Sequence, residues 1–195
     1  MVGFPEISMY QQAVWGGWGA NPFPARLQSL WDLAGPVLRG GYPYSEGIYE
    51  DLNKIIMTQL YVNPATSTQE AMHAYLSWHV SPQYADALSE ACLLLETSLP
   101  RTQQTAGGRK RYVLDRPDAA IEAWDRIRDV HERLTPGGRR RWRWRLIYLR
   151  ALIDHELARH GGELTDRVRS ALGQLQALYR ADAAEEWLQP LALTR

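Results

Sequence analysis

The segment from Gly40 to Lys54 (Gly-Gly-Tyr-Pro-Tyr-Ser-Glu-Gly-Ile-Tyr-Glu-Asp-Leu-Asn-Lys) gathers the carboxylates of Glu46, Glu50 and Asp51 and three tyrosines around a glycine turn. A fourth carboxylate, Glu6, stands in Phe-Pro-Glu-Ile-Ser-Met near the start. Paired carboxylates suit acid/base and nucleophilic work on glycosidic bonds. One protonates the leaving oxygen, and the other attacks at ~5–5.5 Å separation or activates a water at ~6.5–9.5 Å. Glu46 and Glu50, four apart, share a face if both are helical. The alternative is that Glu46, Glu50 and Asp51 enrich a helix N-terminus, where the macrodipole favours acids. Trp15, Trp18 and Tyr44 offer flat faces for stacking on sugar rings, or else plug the end of the core.

Two other patterns suggest chemistry. Asp154-His155-Glu156-Leu157-Ala158-Arg159-His160 is close to H-E-x-x-H, but its histidines are five apart instead of four. At ~100° per residue they point in different directions around a helix, so no metal site is assigned. Arg139-Arg140-Arg141-Trp142-Arg143-Trp144-Arg145 interleaves cations with indoles, a mixture that can grip phosphates and stack on bases. On a helix, Trp142, Leu146, Leu149, Ile153 and Leu157 make an apolar stripe, and the arginines turn outward to pair with Asp125, Asp129 and Glu132. Nucleic acid is therefore not an expected partner. No Gly-rich phosphate loop, C-x-x-C pair or G-x-S-x-G elbow occurs, and no cofactor is expected.

The elements that must position these groups follow from periodicity. Residues 1–44 are rich in glycine, proline and aromatics and read as irregular, with one helix from Pro24 to about Ala34 that buries Leu27, Leu30, Trp31 and Ala34. Short extended pieces are expected at Phe4–Met9 and Gly41–Tyr44. Residues 45–195 read as a helical bundle. Ile48, Leu52, Ile55, Ile56 and Leu60 trace one face, and Ser67 with Glu70 forms a capping box for a helix to about Val80. Ala85, Leu88, Ala91, Cys92 and Leu95 trace another helix after Pro82. Residues 101–111, polar and without periodicity, are expected to be a mobile loop. Beyond it, Ala120, Ile121, Trp124, Ile127, Val130 and Leu134 mark a helix. One from Pro136 to about His160 follows, and Leu164, Val168, Leu172 and Leu175 mark the last. The expected fold class is mainly α, a bundle of about six helices with an irregular aromatic-rich N-terminal segment.

At 195 residues the chain is short for a complete (β/α)₈ barrel, which takes about 250. With 45% hydrophobic and 23% charged residues it has the composition of a folded globular protein. The net charge of zero hides an asymmetry. Residues 1–100 carry nine acidic against three basic residues, and the remainder 13 against 19. The single cysteine, Cys92, cannot form an internal disulfide and reads as a buried small hydrophobe. With no window of about 20 apolar residues, no membrane partner is expected. The chain as given reads as cytoplasmic, or secreted if it belongs to a longer precursor.

The Gly40–Lys54 segment, the Phe4–Met9 stretch and Trp15-Gly-Gly-Trp-Gly-Ala-Asn-Pro22 together resemble the last strands and loops of barrel-type glycoside hydrolases. Ile55, Gln59-Leu60-Tyr61-Val62-Asn63-Pro64, Glu70, Tyr75 and Trp78 are similar to the helical domain that follows such barrels. The resemblance covers residues 1–100. It implies that Phe4–Met9 is a late barrel strand, residues 24–38 the helix after it, and residues 41–45 the final strand, with active-site groups at the strand C-terminal ends. It further implies glycoside hydrolysis with Glu6 and Glu46 as the acid/base and nucleophile candidates, Glu50 and Asp51 in reserve, and Trp15, Trp18 and Tyr44 as the sugar platform. The alternative is a non-catalytic helical interaction module derived from a larger hydrolase. Either reading leads to an expected homodimer built around residues 1–45, because unpaired strand edges favour self-association.

Overall fold

The structure, a computed structural model, describes residues 1–5, 7, 20–44, 47–99 and 101–178. The chain is mainly α, as the periodicity predicts. Its helices are α1 (Pro24–Ala34), α2 (Asp51–Val62), α3 (Thr68–His79), α4 (Ala85–Thr97), α5 (Pro117–Arg133), α6 (Pro136–Arg140), α7 (Trp142–Arg159) and α8 (Asp166–Ala177). Helices α2 to α5 pack each on the next, α7 lies against α5, and α8 covers α7. One apolar core runs from Ile7 and Phe23 through Leu60, Leu76, Leu95 and Trp144 to Leu175. Among the described residues before position 45, Ile7, Phe23, Leu27 and Trp31 thus belong to the same core as the bundle.

Short-range chemistry sets several boundaries. Ser67 Oγ accepts from the Glu70 amide while the Glu70 carboxylate accepts from the Ser67 amide, which completes the capping box that opens α3. Helix α1 starts at Pro24, whose fixed φ suits the first turn. Its next two amides, Ala25 and Arg26, donate to the Glu96 carboxylate of α4 at 2.8 Å each, a cap supplied from 70 residues away. Asn53, buried in α2, accepts from the Phe23 amide and donates to the carbonyls of Ile7 and Asn21, and so ties the incoming chain to the bundle.

Residues 1–5 run parallel to residues 39–44. Gly3 donates to Gly40, and Tyr42 and Tyr44 donate to Gly3 and Pro5, all at 2.9 Å, with α1 as the crossover between the two extended pieces. Gly41 is required there: a Cβ would lie 2.3 Å from the Tyr61 ring and 2.6 Å from the Gly3 carbonyl.

Three expectations change. The segment 101–111 is not a loop but most of a β-hairpin, β1 (Arg101–Ala106) paired antiparallel with β2 (Arg109–Leu114). Gly107 and Gly108, at φ +56° and +74°, make the tight two-residue turn that the strand twist favours. The strand edge is covered in part by Gly162, whose carbonyl accepts from Tyr112 at 2.8 Å. The helix expected from Pro136 to His160 is interrupted at Arg141, which takes an extended conformation, so that α6 is a single capped turn and α7 begins at Trp142. Finally, α7 is buried on more than one face. Trp144 is fully enclosed, Trp142 packs only at the edge of the core, and Arg150 and Asp154 are buried among the leucines.

Candidate functional site

Asp51 opens α2 beside α3 and the start of α7. Its Oδ2 accepts from Arg143 Nε and from the Tyr75 hydroxyl, both at 2.7 Å, and its Oδ1 from Arg143 Nη2 at 3.4 Å. The Asp51 side chain is 13% exposed and that of Arg143 29%. Burial, then the Asp51 charge, raise the Tyr75 phenol far above its ordinary value, so it stays a protonated donor. Burial opposes the Arg143 charge, but the hydrogen bond and charge of Asp51 outweigh it. Asp51 is thus an anchor for a guanidinium.

Beyond this pair the surface opens into a groove of about 320 Å³ lined by Trp78, His79, Arg141, Trp142 and Arg143. Trp78 is 82% exposed. The Arg143 guanidinium sits 4.2 Å from the centroid of Trp142, a cation–π arrangement. The His79 ring meets that of Tyr75 edge-on at 4.8 Å, and its carbonyl accepts from Arg141 at 3.4 Å. Burial, then Arg143, lower the pKa of His79, which favours the neutral imidazole. The groove continues past Trp78 and His79 into a hollow of about 620 Å³ whose wall includes Gln59, Asn63, Thr66 and Glu70.

A second charge cluster lies inside. Arg101 at the start of β1 donates to both Asp154 oxygens at 2.9 and 3.0 Å and to Asn21 Oδ1 at 3.2 Å. Arg150 donates to Asp154 from Nε at 2.9 Å and also from Nη2. None of the three side chains is more than 1% exposed. Burial lowers Arg101 to about 9, and burial, then the Arg101 charge, lower Arg150 well below its ordinary value. Between the two clusters is a void of about 10 Å³, walled by Tyr75 and Arg143 on one side and Asn21 on the other. That is room for about one water.

Of the residues singled out in the sequence, Glu6, Trp15, Trp18 and Glu46 lie outside the described residues. Tyr44, 41% exposed, sits on the parallel contact with its ring 5.8 Å from that of Phe4. Glu50 ends a 3₁₀ turn, Ile48–Glu50, and is buried at 2% exposure, while Asp51 carries Arg143. In the near-miss metal motif, Glu156 lies 3.1 Å from Arg167 and 3.6 Å from His160. Among the described residues no group of three or more His, Cys, Asp or Glu is placed to hold a metal ion.

The arginine run divides its work. Arg143 goes to Asp51, Arg145 to Gln174, and Arg139 to the carbonyls of Leu134 and Glu132. Asp125 and Asp129 pair instead with Arg128 and Arg133 of their own helix, which are closer. Cys92 is buried as expected, its thiol pushed up to about 12 by burial. Among the described residues no helix is long and apolar enough to cross a membrane.

Sequence reasoning missed Trp78, His79 and the Arg101–Asp154–Arg150 cluster. The available signal was Arg150 and Asp154, four apart inside the apolar run of α7, where charges have no reason to be unless paired. Compared with known proteins, no family model matches the chain, and no curated protein or solved structure matches it.

Proposed function

We propose that this chain is a carbohydrate-active protein of the glycoside-hydrolase type, which cleaves glycosidic bonds with the paired carboxylates Glu6 and Glu46. The observation that carries this reading is the parallel strand–helix–strand unit of residues 1–5, α1 and residues 39–44. Late barrel strands joined by a helix require that parallel pairing. Pro5 and Tyr44, hydrogen bonded to one another, are the described residues that immediately precede Glu6 and the Ser45-Glu46 step. Two carboxylates that follow paired strand ends suit the two-carboxylate chemistry of glycoside hydrolysis. The test is turnover of a panel of aryl glycosides by Glu6→Gln and Glu46→Gln. Each change is expected to cut turnover by about 10²-fold or more, and undiminished turnover in both removes the assignment.

A second reading, a non-catalytic interaction module that self-associates, rests on a separate observation. Met1, Val2, Phe4 and Tyr42, on or beside the parallel contact, are 80%, 62%, 70% and 73% exposed, and Leu33 of α1 is 82% exposed. An exposed apolar patch beside strand edges favours pairing with another copy. Sedimentation at micromolar concentration is expected to show a dimer, and a clean monomer counts against self-association.

A further inference from the structure

The groove between the end of α3 and the start of α7 has a chemistry that the hydrolytic carboxylates do not use. We propose that it is a saccharide-binding site for an oligosaccharide with an acidic, carboxylate-bearing sugar, seated with the carboxylate at Arg141 and Arg143 and the ring against Trp78. The inference rests on the carbohydrate-active reading and names the ligand class for a surface separate from Glu6 and Glu46.

Three features select this ligand. The first is Trp78, an indole left 82% exposed at the end of a helix whose other large apolar residues, Met72, Tyr75 and Leu76, are buried. Its flat face fits the C–H face of a pyranose. The second is charge. Among the described residues, Arg141 and Arg143 face one carboxylate, Asp51, which leaves one positive charge in surplus beside the groove. Asp51 takes Nε and Nη2 of Arg143, so the guanidinium is fixed in orientation at the groove wall. An arginine held in this way meets a carboxylate with a charge-assisted hydrogen bond at little further cost in side-chain entropy. A nucleic acid would bring a row of phosphates to a surface with one surplus charge, which is a poorer match.

The third feature is polarity along the groove. The cationic end is the 320 Å³ compartment, and the adjoining 620 Å³ hollow carries the amides of Gln59 and Asn63 and, farther on, Glu70. The Glu70 carboxylate is engaged by Ser67, and it disfavours a second anion at that end. Amide groups suit sugar hydroxyls. The ligand is therefore acidic at one end and neutral along its length. His79 separates the two compartments as a neutral imidazole that can donate to, and accept from, hydroxyls.

The experiment is a tryptophan-fluorescence and calorimetric titration of the full chain with cellobiouronate, and with cellobiose, which has a hydroxymethyl group in place of the carboxylate. Cellobiouronate is expected to bind at least about tenfold more tightly, the size of one charge-assisted hydrogen bond. Arg141→Ala should abolish the difference between the two sugars. Trp78→Ala should weaken both, and each variant should melt as the parent does because both side chains are exposed. Equal binding of the two sugars overturns the acidic assignment. Binding unchanged in Trp78→Ala and Arg141→Ala overturns the location, as does binding of a single-stranded oligonucleotide in place of either saccharide. The titration involves no turnover. Binding without hydrolysis leaves this inference standing and counts against Glu6 and Glu46, whereas hydrolysis without groove binding removes this inference alone.

Discussion

The Asp154 and Asp51 clusters both set arginine against aspartate, one sealed inside the bundle and the other at the wall of a groove. Asp154 holds two guanidiniums with all three side chains no more than 1% exposed, whereas Asp51 holds one, shares it with Tyr75, and leaves it 29% exposed. The inner cluster joins β1, α7 and the loop at Asn21, so it acts on the fold. The outer one fixes the direction of a cation that still faces solvent, so it acts on the surface. The same ion-pair chemistry is thus structural where water is excluded and available to a ligand where it is not.

The largest expected effect comes from the inner cluster. Asp154→Ala strands two buried guanidiniums and should cost about 3–5 kcal/mol in denaturant unfolding. A loss below about 1 kcal/mol would show that the cluster is not sealed as described. Asp51→Ala removes a partly exposed partner, and solvent screening limits its stability cost to about 1 kcal/mol. Its main consequence should appear in the groove, where Arg143 loses its anchor and acidic-sugar binding weakens. If the two aspartates prove equally costly to the fold, the contrast between them fails.

A smaller effect is expected from pH. The Trp144 indole N–H donates to His131 Nδ1 at 3.2 Å, so that nitrogen must be unprotonated, and the His131 ring stacks on Tyr148 at 4.2 Å. Burial, then Arg139, lower the His131 pKa from its ordinary 6.5. The folded state therefore binds fewer protons than the unfolded chain. This contribution to stability is full above about 6.5 and is lost as pH falls through the depressed folded value. His79 and His155 shift in the same direction, each with burial as the first cause. Melting temperature should hold from pH 8 to 7 and decline below about 6.5, and His131→Phe should flatten part of that slope. A melting temperature that rises on acidification through this range would reverse the sign.

What the sequence revealed, and what it hid, follows the range of the interactions. Ser67 and Glu70 announce α3 because a capping box is complete within four residues. Ala85, Leu88, Ala91, Cys92 and Leu95 announce α4 because one face is buried and the other is not. Helix α7 shows its stripe only in part: Leu146, Leu149, Ile153 and Leu157 are buried as their spacing predicts, with Trp142 at the edge of the core, but consecutive residues from Leu149 to Asp154 are all buried, so Arg150 and Asp154 are enclosed where one apolar face would have left them outside. The hairpin was invisible for the opposite reason. Residues 102–105 are exposed on both faces, so no alternation marks a strand, and Gly107-Gly108 reads as a loop until its two flanks are seen to pair. The groove needs Trp78 and Trp142 brought together from α3 and α7, and the Arg101–Asp154 pair spans 53 positions. Local patterns carry neither.

The antiparallel meeting of α5 and α7 was also beyond local reach. It is visible in the ring contacts, where Trp124 meets His155 and His131 meets Trp144, in opposite sequence order. By contrast, the parallel contact of residues 1–5 with residues 39–44 takes in the extended piece anticipated at Gly41–Tyr44 and, of the one anticipated at Phe4–Met9, only Phe4 and Pro5, since residues 6, 8 and 9 lie outside the described residues.

The most direct test of the carbohydrate-active reading is release of the aryl group from a panel of neutral and uronic aryl glycosides by the parent chain, Glu6→Gln and Glu46→Gln. The parent chain is expected to turn over at least one glycoside, and each variant to lose about 10²-fold or more. No turnover by the parent chain on any member of the panel, or equal turnover in all three proteins, would contradict it.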